Sequence, residues 1–260
     1  MPERNKLSLK SAKTTFGQIY YYDNELPGKP IVYLHGGYGK PDVVNILHHH
    51  LSPKGIRIIS PYLPGHGLSY EIPRKFSFAD FMLSIKEFIL ELNLNEPLNI
   101  IGRSFGGRVA WELCLDHNIN IKKLVLIDPF LDWTNNSTIR ILGNMVIDKF
   151  FDRIRRISSK ATKIDHSESF IEVHKPQYNH AKRLEYCIKS MGTPSCISNS
   201  DIDILVLWGE NDTVVKIKDQ EHNLNKLSRS KLEVHKGSHY WHYENPIALI
   251  DSLNKFLIKY

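Results

Sequence analysis

Short apolar runs alternate along this chain with longer segments of helical periodicity. Eight runs are predicted as strands, the first two as an antiparallel pair: residues 5–10, 17–23, 30–35, 55–61, 98–103, 122–129, 203–209 and 231–236. Strands that alternate with amphipathic segments are typical of a parallel sheet with crossover helices. The sequence therefore predicts an α/β fold in which most strands are parallel.

Two helices have clear start signals. Ser77 and Asp80 predict a capping box, and Asn245 followed by Pro246 predicts an N-cap with a first-turn proline. Apolar residues recur at three- or four-residue steps in both segments, which predicts one buried face for each helix. These residues are Phe78, Phe81, Met82, Ile85, Phe88, Ile89 and Leu92 in the first helix, and Leu249, Ile250, Leu253, Phe256 and Leu257 in the second.

The composition excludes several classes of protein. Hydrophobic residues make up 42% and charged residues 24% of 260 residues, as in ordinary globular proteins. The net charge of +6 is scattered, so no nucleic-acid partner is predicted. Neither a signal-peptide core nor an apolar stretch of membrane-spanning length occurs, so we expect a cytoplasmic protein with no membrane association. The three cysteines lack zinc-ligand spacing, so no metal is predicted.

Residues 131–200 interrupt the alternation of strands and helices, because they contain amphipathic and charged stretches but no strand-like run. This interval is predicted to be a helical insertion. Between residues 148 and 189, ten Lys and Arg outnumber six Asp and Glu. The excess is either a solvated helix face, which is the more common case, or a surface that favours an anionic substrate.

The strongest functional signal is a GxSxG motif formed by Gly102, Ser104 and Gly106. It follows the predicted strand 98–103 and leads directly into a helical segment. The glycines permit a sharp turn where a Cβ atom would collide, and the turn places the serine at its apex. The helix that follows has a dipole favouring negative charge at its N-terminus.

With this motif the chain resembles the α/β hydrolase family over most of its length. Residues 34–39, LHGGYG, are similar to the family's oxyanion loop. Residues 62–69, YLPGHGLS, are similar to its DxPGxGxS loop, with Tyr62 where Asp is usual. The resemblance implies an α/β hydrolase fold with a mostly parallel eight-stranded sheet and helices on both faces. It also implies a core domain of residues 1–130 and 201–260, with residues 131–200 as a helical cap.

A serine hydroxyl needs a base within reach and a carboxylate that orients the base. The stretch from Trp208 to Val215 resembles the family's GxxDxxV acid loop and nominates Asp212, with Glu210 and Asp128 as alternatives. Thirteen histidines compete as the base. Only His239 has the spacing to the following Glu and Pro that resembles the family's GHxxxxExP pattern.

The remaining candidates surround the serine. Backbone N–H groups of Phe105 and of the Gly37/Tyr38 segment are the expected oxyanion-hole donors, and His35 and His66 are expected to anchor their loops. Arg103 either pairs with a carboxylate behind the turn or binds an anionic substrate group. Arg108 gives the turn a short resemblance to a lyase of menaquinone biosynthesis.

These residues predict a serine hydrolase that cleaves a carboxylic ester or thioester through an acyl-enzyme. No cofactor is required, and the expected partner is a small-molecule acyl substrate. Hydrolysis of an amide or carbon–carbon bond, a lyase reaction, and a ligand receptor that retains the three residues stay open as alternatives. The sequence does not predict the oligomeric state.

Overall fold

One eight-stranded sheet organises the molecule. The computed structural model describes residues 6–37, 39–41, 43–132, 178–197, 201–227 and 229–258, without the side chains of 178–182. The strands are β1 (Ser8–Thr14), β2 (Gly17–Asp23), β3 (Pro30–Leu34), β4 (Arg57–Pro61), β5 (Leu98–Arg103), β6 (Ile121–Ile127), β7 (Asp203–Gly209) and β8 (Ser230–His235). Their order is β1-β2-β4-β3-β5-β6-β7-β8. From β4 to β8 all neighbours are parallel, which confirms the predicted fold class.

Helices cover both faces of this sheet. They are α1 (Val44–Leu51), α2 (Phe78–Glu91), α3 (Phe105–Leu113), α4 (Tyr178–Lys189), α5 (Ile217–Leu224), α6 (Trp241–Glu244) and α7 (Pro246–Leu253). A 3₁₀ turn (Ser52–Lys54) and a terminal π-helical turn (Asn254–Ile258) complete the described elements. In the described part of the chain, no helix combines the length and apolarity needed to cross a bilayer.

Two apolar layers hold the helices against the sheet. Side chains of α2, α3 and α4 form one layer with alternate residues of the strands, such as Leu34 and Val206. Side chains of α1 and α7 form the other layer with the intervening residues, such as Tyr33 and Leu207. The central strands are buried on both faces, which explains why their sequences are continuous apolar runs.

The predicted helix starts are confirmed. Ser77 Oγ accepts a hydrogen bond from Asp80 N, and Asp80 Oδ2 accepts one from Ser77 N at 2.9 Å, which completes the capping box. Asn245 Oδ1 accepts from Ala248 N at 3.2 Å at the start of α7. Both N-caps therefore satisfy backbone donors that the first helical turn leaves unpaired.

The predicted first strand, 5–10, was placed too early. β1 continues to Thr14 because it pairs with β2 through a tight hairpin whose last pair is Thr14 with Gly17. Its polar side chains alternate with buried ones at the edge of the sheet, so apolar content does not mark its end.

The predicted insertion, residues 131–200, is described only in part. Residues 133–177 and 198–200 lie outside the described residues, and α4 is helical as expected. Leu184 of α4 is buried in the apolar layer that contains α2 and α3. The described end of the insertion therefore packs against the same face of the sheet as α3.

Candidate active site

Four of the candidate residues follow parallel strands at the points where these strands end. Ser104 follows β5, Asp128 follows β6, Asp212 lies in the loop after β7, and His239 lies in the loop after β8. The carboxyl ends of parallel strands meet at one edge of a sheet. The topology therefore gathers at one edge residues that are far apart in the sequence.

Ser104 occupies a strained turn between β5 and α3. Its φ of 50° and ψ of −118° are unusual for a residue with a side chain, and such outliers cost about 1–3 kcal/mol. The turn is tight, since a Cβ atom at Gly102 would lie 2.4 Å from the Gly106 carbonyl oxygen. Ser104 N donates to Ile127 O at 2.9 Å, which ties the turn to β6. This geometry agrees with the turn predicted from the GxSxG motif.

The predicted oxyanion loop lies against this turn. A Cβ atom at Gly36 would be 3.3 Å from Ser104 Cβ, and one at Gly37 would be 3.5 Å from Phe105 Cβ. The structure thus brings Gly37 and Phe105 together beside the serine. Phe105 is the first residue of α3, where helix N–H groups have no partner within the helix. Tyr38, the other predicted donor, lies outside the described residues.

A short hydrogen bond joins His239 to Asp212. The distance from His239 Nδ1 to Asp212 Oδ2 is 2.6 Å, and both side chains are almost completely buried. Asp212 Oδ1 accepts from the backbone N–H groups of Val214 and Val215, each at 2.8 Å. A carboxylate acceptor at Nδ1 favours the imidazole tautomer with its proton there, so Nε2 becomes the acceptor.

The two alternative acids occupy different environments. Glu210 is exposed. Asp128 is fully buried, and its carboxylate accepts from Gly209 N at 2.7 Å and from Trp241 Nε1 at 2.9 Å. Burial, and then the charge of Asp212, raise the pKa of Asp128 well above its usual range. The raised pKa favours the neutral form of Asp128, whereas Asp212 is the acid that is hydrogen-bonded to the imidazole.

Asp128, Asp212 and His239 lie as close together as the ligands of a metal ion can. Each offers one potential ligand atom, and these atoms lie within 4.8 Å of one another. Each carboxylate oxygen nevertheless accepts an N–H hydrogen bond: those of Asp128 from Gly209 and Trp241, and those of Asp212 from the 214–215 backbone and the imidazole. We interpret the cluster as two acids, each held by its own N–H donors, with the imidazole bonded to Asp212.

The loop that holds His239 is fixed by its neighbours. Ser238 Oγ donates to Glu244 Oε1 at 2.6 Å, which gives a structural reason for the acid five residues after His239. His235, which does not fit the predicted spacing, stacks on Trp241 with ring centres 4.1 Å apart. Trp241 in turn donates to Asp128, so this segment connects the ends of β6 and β8.

His35 has the anchoring role predicted for it. Its Nε2 accepts from Leu63 N at 3.0 Å, so Nδ1 carries the proton and donates to Gly36 O at 2.8 Å. Its ring packs edge-on against that of His66, with centres 4.8 Å apart. His66 is buried as well and lies within hydrogen-bonding distance of Pro64 O. The two histidines therefore hold together the two glycine-rich loops next to Ser104.

The two arginines of the motif have contacts that the sequence reasoning missed. Arg103 donates to the carbonyl oxygen of His239 and lies over the ring of Tyr240. Arg108 is only 2% exposed and pairs with Glu112 at 2.9 Å.

Arg108 also connects the two ends of the predicted insertion. Its guanidinium donates to the carbonyl oxygens of Leu131, Met191 and Gly192. These residues lie near the beginning and the end of residues 131–200. No spacing rule signals such contacts, since they join the Arg108 side chain to backbone carbonyl groups that are remote in sequence.

The fold and the arrangement at its strand ends define a class of protein. A family model described as the alpha/beta hydrolase fold matches residues 29–169, which is more than half of the chain. The chain therefore belongs to the alpha/beta hydrolase fold family, as its motifs indicated.

Particular relatives are distant in sequence. An uncharacterized protein of Mycobacterium tuberculosis is 22% identical over 88% of this chain and 75% of its own length. An alpha/beta hydrolase fold protein from Chitinophaga pinensis has a TM-score of 0.82 at 15% identity, covering 99% of both chains. An esterase from Exiguobacterium antarcticum has a TM-score of 0.71 at 19% identity, covering 96% of this chain and 99% of its own. At these identities the structural likeness concerns the fold.

Proposed function

We propose that this protein is a serine hydrolase that cleaves a carboxylic ester or thioester through an acyl-enzyme. Ser104 is the nucleophile, His239 the general base, and Asp212 the carboxylate that orients the base. The observation that carries the proposal is the 2.6 Å bond between His239 Nδ1 and Asp212 Oδ2, at the sheet edge that also holds the strained Ser104 turn. An imidazole that is oriented by a carboxylate activates a serine hydroxyl at neutral pH.

The chemistry follows from the imidazole tautomer. Ser104 Oγ forms a bond to the substrate carbonyl carbon while its proton moves to His239 Nε2. The imidazolium gives this proton to the leaving oxygen or sulfur as the C–O or C–S bond breaks. Water then attacks the acyl-enzyme in the same manner, and the proton returns to Ser104 Oγ. Asp212 stabilises the imidazolium that forms in each half of the reaction.

The negative oxygen of each tetrahedral intermediate needs hydrogen-bond donors. We assign this role to the backbone N–H groups of Phe105 and of the Gly37/Tyr38 segment. The close approach of the Gly37 backbone to Phe105, where a Cβ atom built at Gly37 would be 3.5 Å from Phe105 Cβ, supports the assignment. Loss of one such donor costs about 3 kcal/mol of transition-state stabilisation.

We also propose that residues 131–200 form a cap that shapes the acyl pocket. Two observations support this assignment: Leu184 of α4 lies 3.5 Å from a Cβ atom built at Gly37, and Arg108 binds carbonyl groups near both ends of the insertion. The fold places ligands at the carboxyl edge of the sheet, so an insertion there contacts a small-molecule acyl substrate. The esterase among the solved structures of this fold agrees with the proposed substrate class.

A fluorophosphonate probe tests the proposal, because it reacts with activated serines. Peptide mass mapping of the labelled protein should place the adduct on Ser104, and Ser104→Ala should abolish both labelling and p-nitrophenyl ester turnover. Ser230→Ala, at an exposed position in β8, is the matched control and should label like the wild type. An adduct on another residue, or full turnover by Ser104→Ala, would contradict the proposal.

A further inference from the structure

Arg103 is a buried cation directly before the proposed nucleophile. It is the last residue of β5 and is only 6% exposed. Arginine is rarely buried to this extent unless other groups compensate its charge. Its surroundings therefore indicate what the guanidinium does.

The guanidinium contacts two of the loops that build the site. Nη2 donates to the carbonyl oxygen of His239 at 3.3 Å, across 136 residues of sequence. Cζ lies 4.9 Å from the centre of the Tyr240 ring and 5.8 Å from that of Tyr243, within the range of cation–π attraction. A Cβ atom at Gly36 would be 2.9 Å from Nη1, so the same group also packs against the oxyanion loop.

The charge of Arg103 acts on Asp128 as well. Its positive charge lowers the pKa of Asp128 and so opposes the effects of burial and of Asp212. The titratable groups described around this cluster include Asp128 after β6, Asp212 after β7, and His239, Tyr240, His242 and Tyr243 after β8. Arg103 adds a positive charge to this cluster.

We propose that Arg103 is a positioning residue that fastens the backbone of His239 to the residue next to Ser104 and thereby sets the distance between hydroxyl and imidazole. This inference rests on the proposed function. Arg103 and Ser104 are consecutive, so the bond to the His239 carbonyl is a short connection between nucleophile and base. A displacement of about 1 Å in a reacting pair costs roughly 100-fold in rate.

The test compares Arg103→Met and Arg103→Lys with the wild type between pH 5 and 9, on a neutral p-nitrophenyl ester and on one with an anionic acyl group. Arg57→Gln is the control, since it removes a partly buried arginine that pairs with Asp23 at 2.7 Å outside the site. We expect Arg103→Met to lose about 10- to 100-fold in kcat with little change in KM. The control should keep its kcat.

The pH dependence of kcat/KM distinguishes two explanations for a slower Arg103→Met variant. One is a local effect on the His239 imidazole, and the other is a general loss of stability. A nearby cation disfavours the imidazolium, so we expect the loss of the Arg103 charge to favour the protonated imidazole of His239. The acidic limb of kcat/KM should therefore move to higher pH in Arg103→Met and stay in place in Arg103→Lys.

If Arg103→Met does not fold, Arg103→Gln keeps a donor for the His239 carbonyl without the charge. This variant should retain more than a tenth of kcat and show the same shift.

Two results would overturn the inference. One is an Arg103→Met variant with wild-type kcat and an unmoved acidic limb. The other is a rise in KM confined to anionic esters with kcat unchanged, which would assign Arg103 to substrate binding. Failure of the proposed function is distinguishable, because then either the wild type would turn over no ester or Ser104→Ala would stay active, whatever the Arg103 variants do.

Discussion

At the scale of single residues, the site uses one side-chain type in two environments. Asp128 and Asp212 are both buried, and both accept backbone N–H bonds. Asp212 also accepts the bond from His239, whereas Asp128 accepts the Trp241 indole N–H and has a strongly raised pKa. Under the proposed function Asp212 orients the base. Asp128 links the ends of β6, β7 and β8 through its bonds to Gly209 and Trp241.

Substitution of Asp212 by Asn should have a far larger effect on rate than the same change at Asp128. An amide at position 212 favours the wrong imidazole tautomer, so we expect Asp212→Asn to lower kcat by roughly 10³- to 10⁴-fold. Asp128→Asn should lose less than about tenfold in kcat if its role is structural. Ester turnover by the two purified variants measures this difference, and equal losses would contradict the assignment.

The raised pKa of Asp128 predicts a pH-dependent stability difference. A carboxyl group whose folded-state pKa is raised binds its proton more tightly in the native state, so its contribution to stability is present at low pH and is lost as the pH rises through the folded pKa. Asp128→Asn removes this titration. From about pH 4 upward, the free energy of unfolding of the wild type should therefore fall relative to that of the variant. Urea unfolding at several pH values checks the trend, and a constant difference would refute it.

At the scale of elements, α3 connects the Ser104 turn with both ends of the proposed insertion. Its first residue follows Ser104, and Arg108 one turn later binds carbonyl groups at Leu131, Met191 and Gly192. Burial lowers the pKa of Arg108, although the charge of Glu112 opposes this effect. The helix thus couples the turn to both described ends of the insertion.

Removal of this guanidinium should destabilise the fold. Arg108→Met leaves three carbonyl oxygens without their charged donor, so we expect a loss of about 3 kcal/mol or more in the free energy of unfolding. Arg229→Met is the control, because Arg229 is about half exposed and pairs at 2.9 Å with the partly exposed Asp203, and exposed pairs contribute at most about 1 kcal/mol. Urea unfolding of both variants gives the comparison, and similar losses would rule out the connecting role.

At the scale of the whole molecule, the sequence predicted the elements that a local pattern of apolar residues marks. Strands buried on both faces, such as β3 and β5, were predicted within a residue because continuous apolar runs mark them. The end of β1 was missed because an edge strand alternates polar and apolar residues.

The same distinction applies to the site. The GxSxG motif nominated Ser104, and the resemblance of two single loops to the family's acid and histidine patterns nominated Asp212 and His239. The contacts of Arg103, Arg108 and Trp241 join segments far apart in the chain, and one sequence contains no signal for them. Long-range hydrogen bonds of this kind require the folded arrangement.

The central claim is that Ser104 Oγ forms a covalent bond to the acyl group of the substrate during turnover. Acid-quenched turnover of a p-nitrophenyl ester, followed by peptide mass spectrometry, observes that intermediate directly. We expect the mass of the acyl group on the peptide that contains Ser104 in the wild type, and no adduct on the corresponding peptide of Ser104→Ala. Ester hydrolysis at full rate with no acyl group at residue 104, or with the acyl group on another residue, would contradict the account.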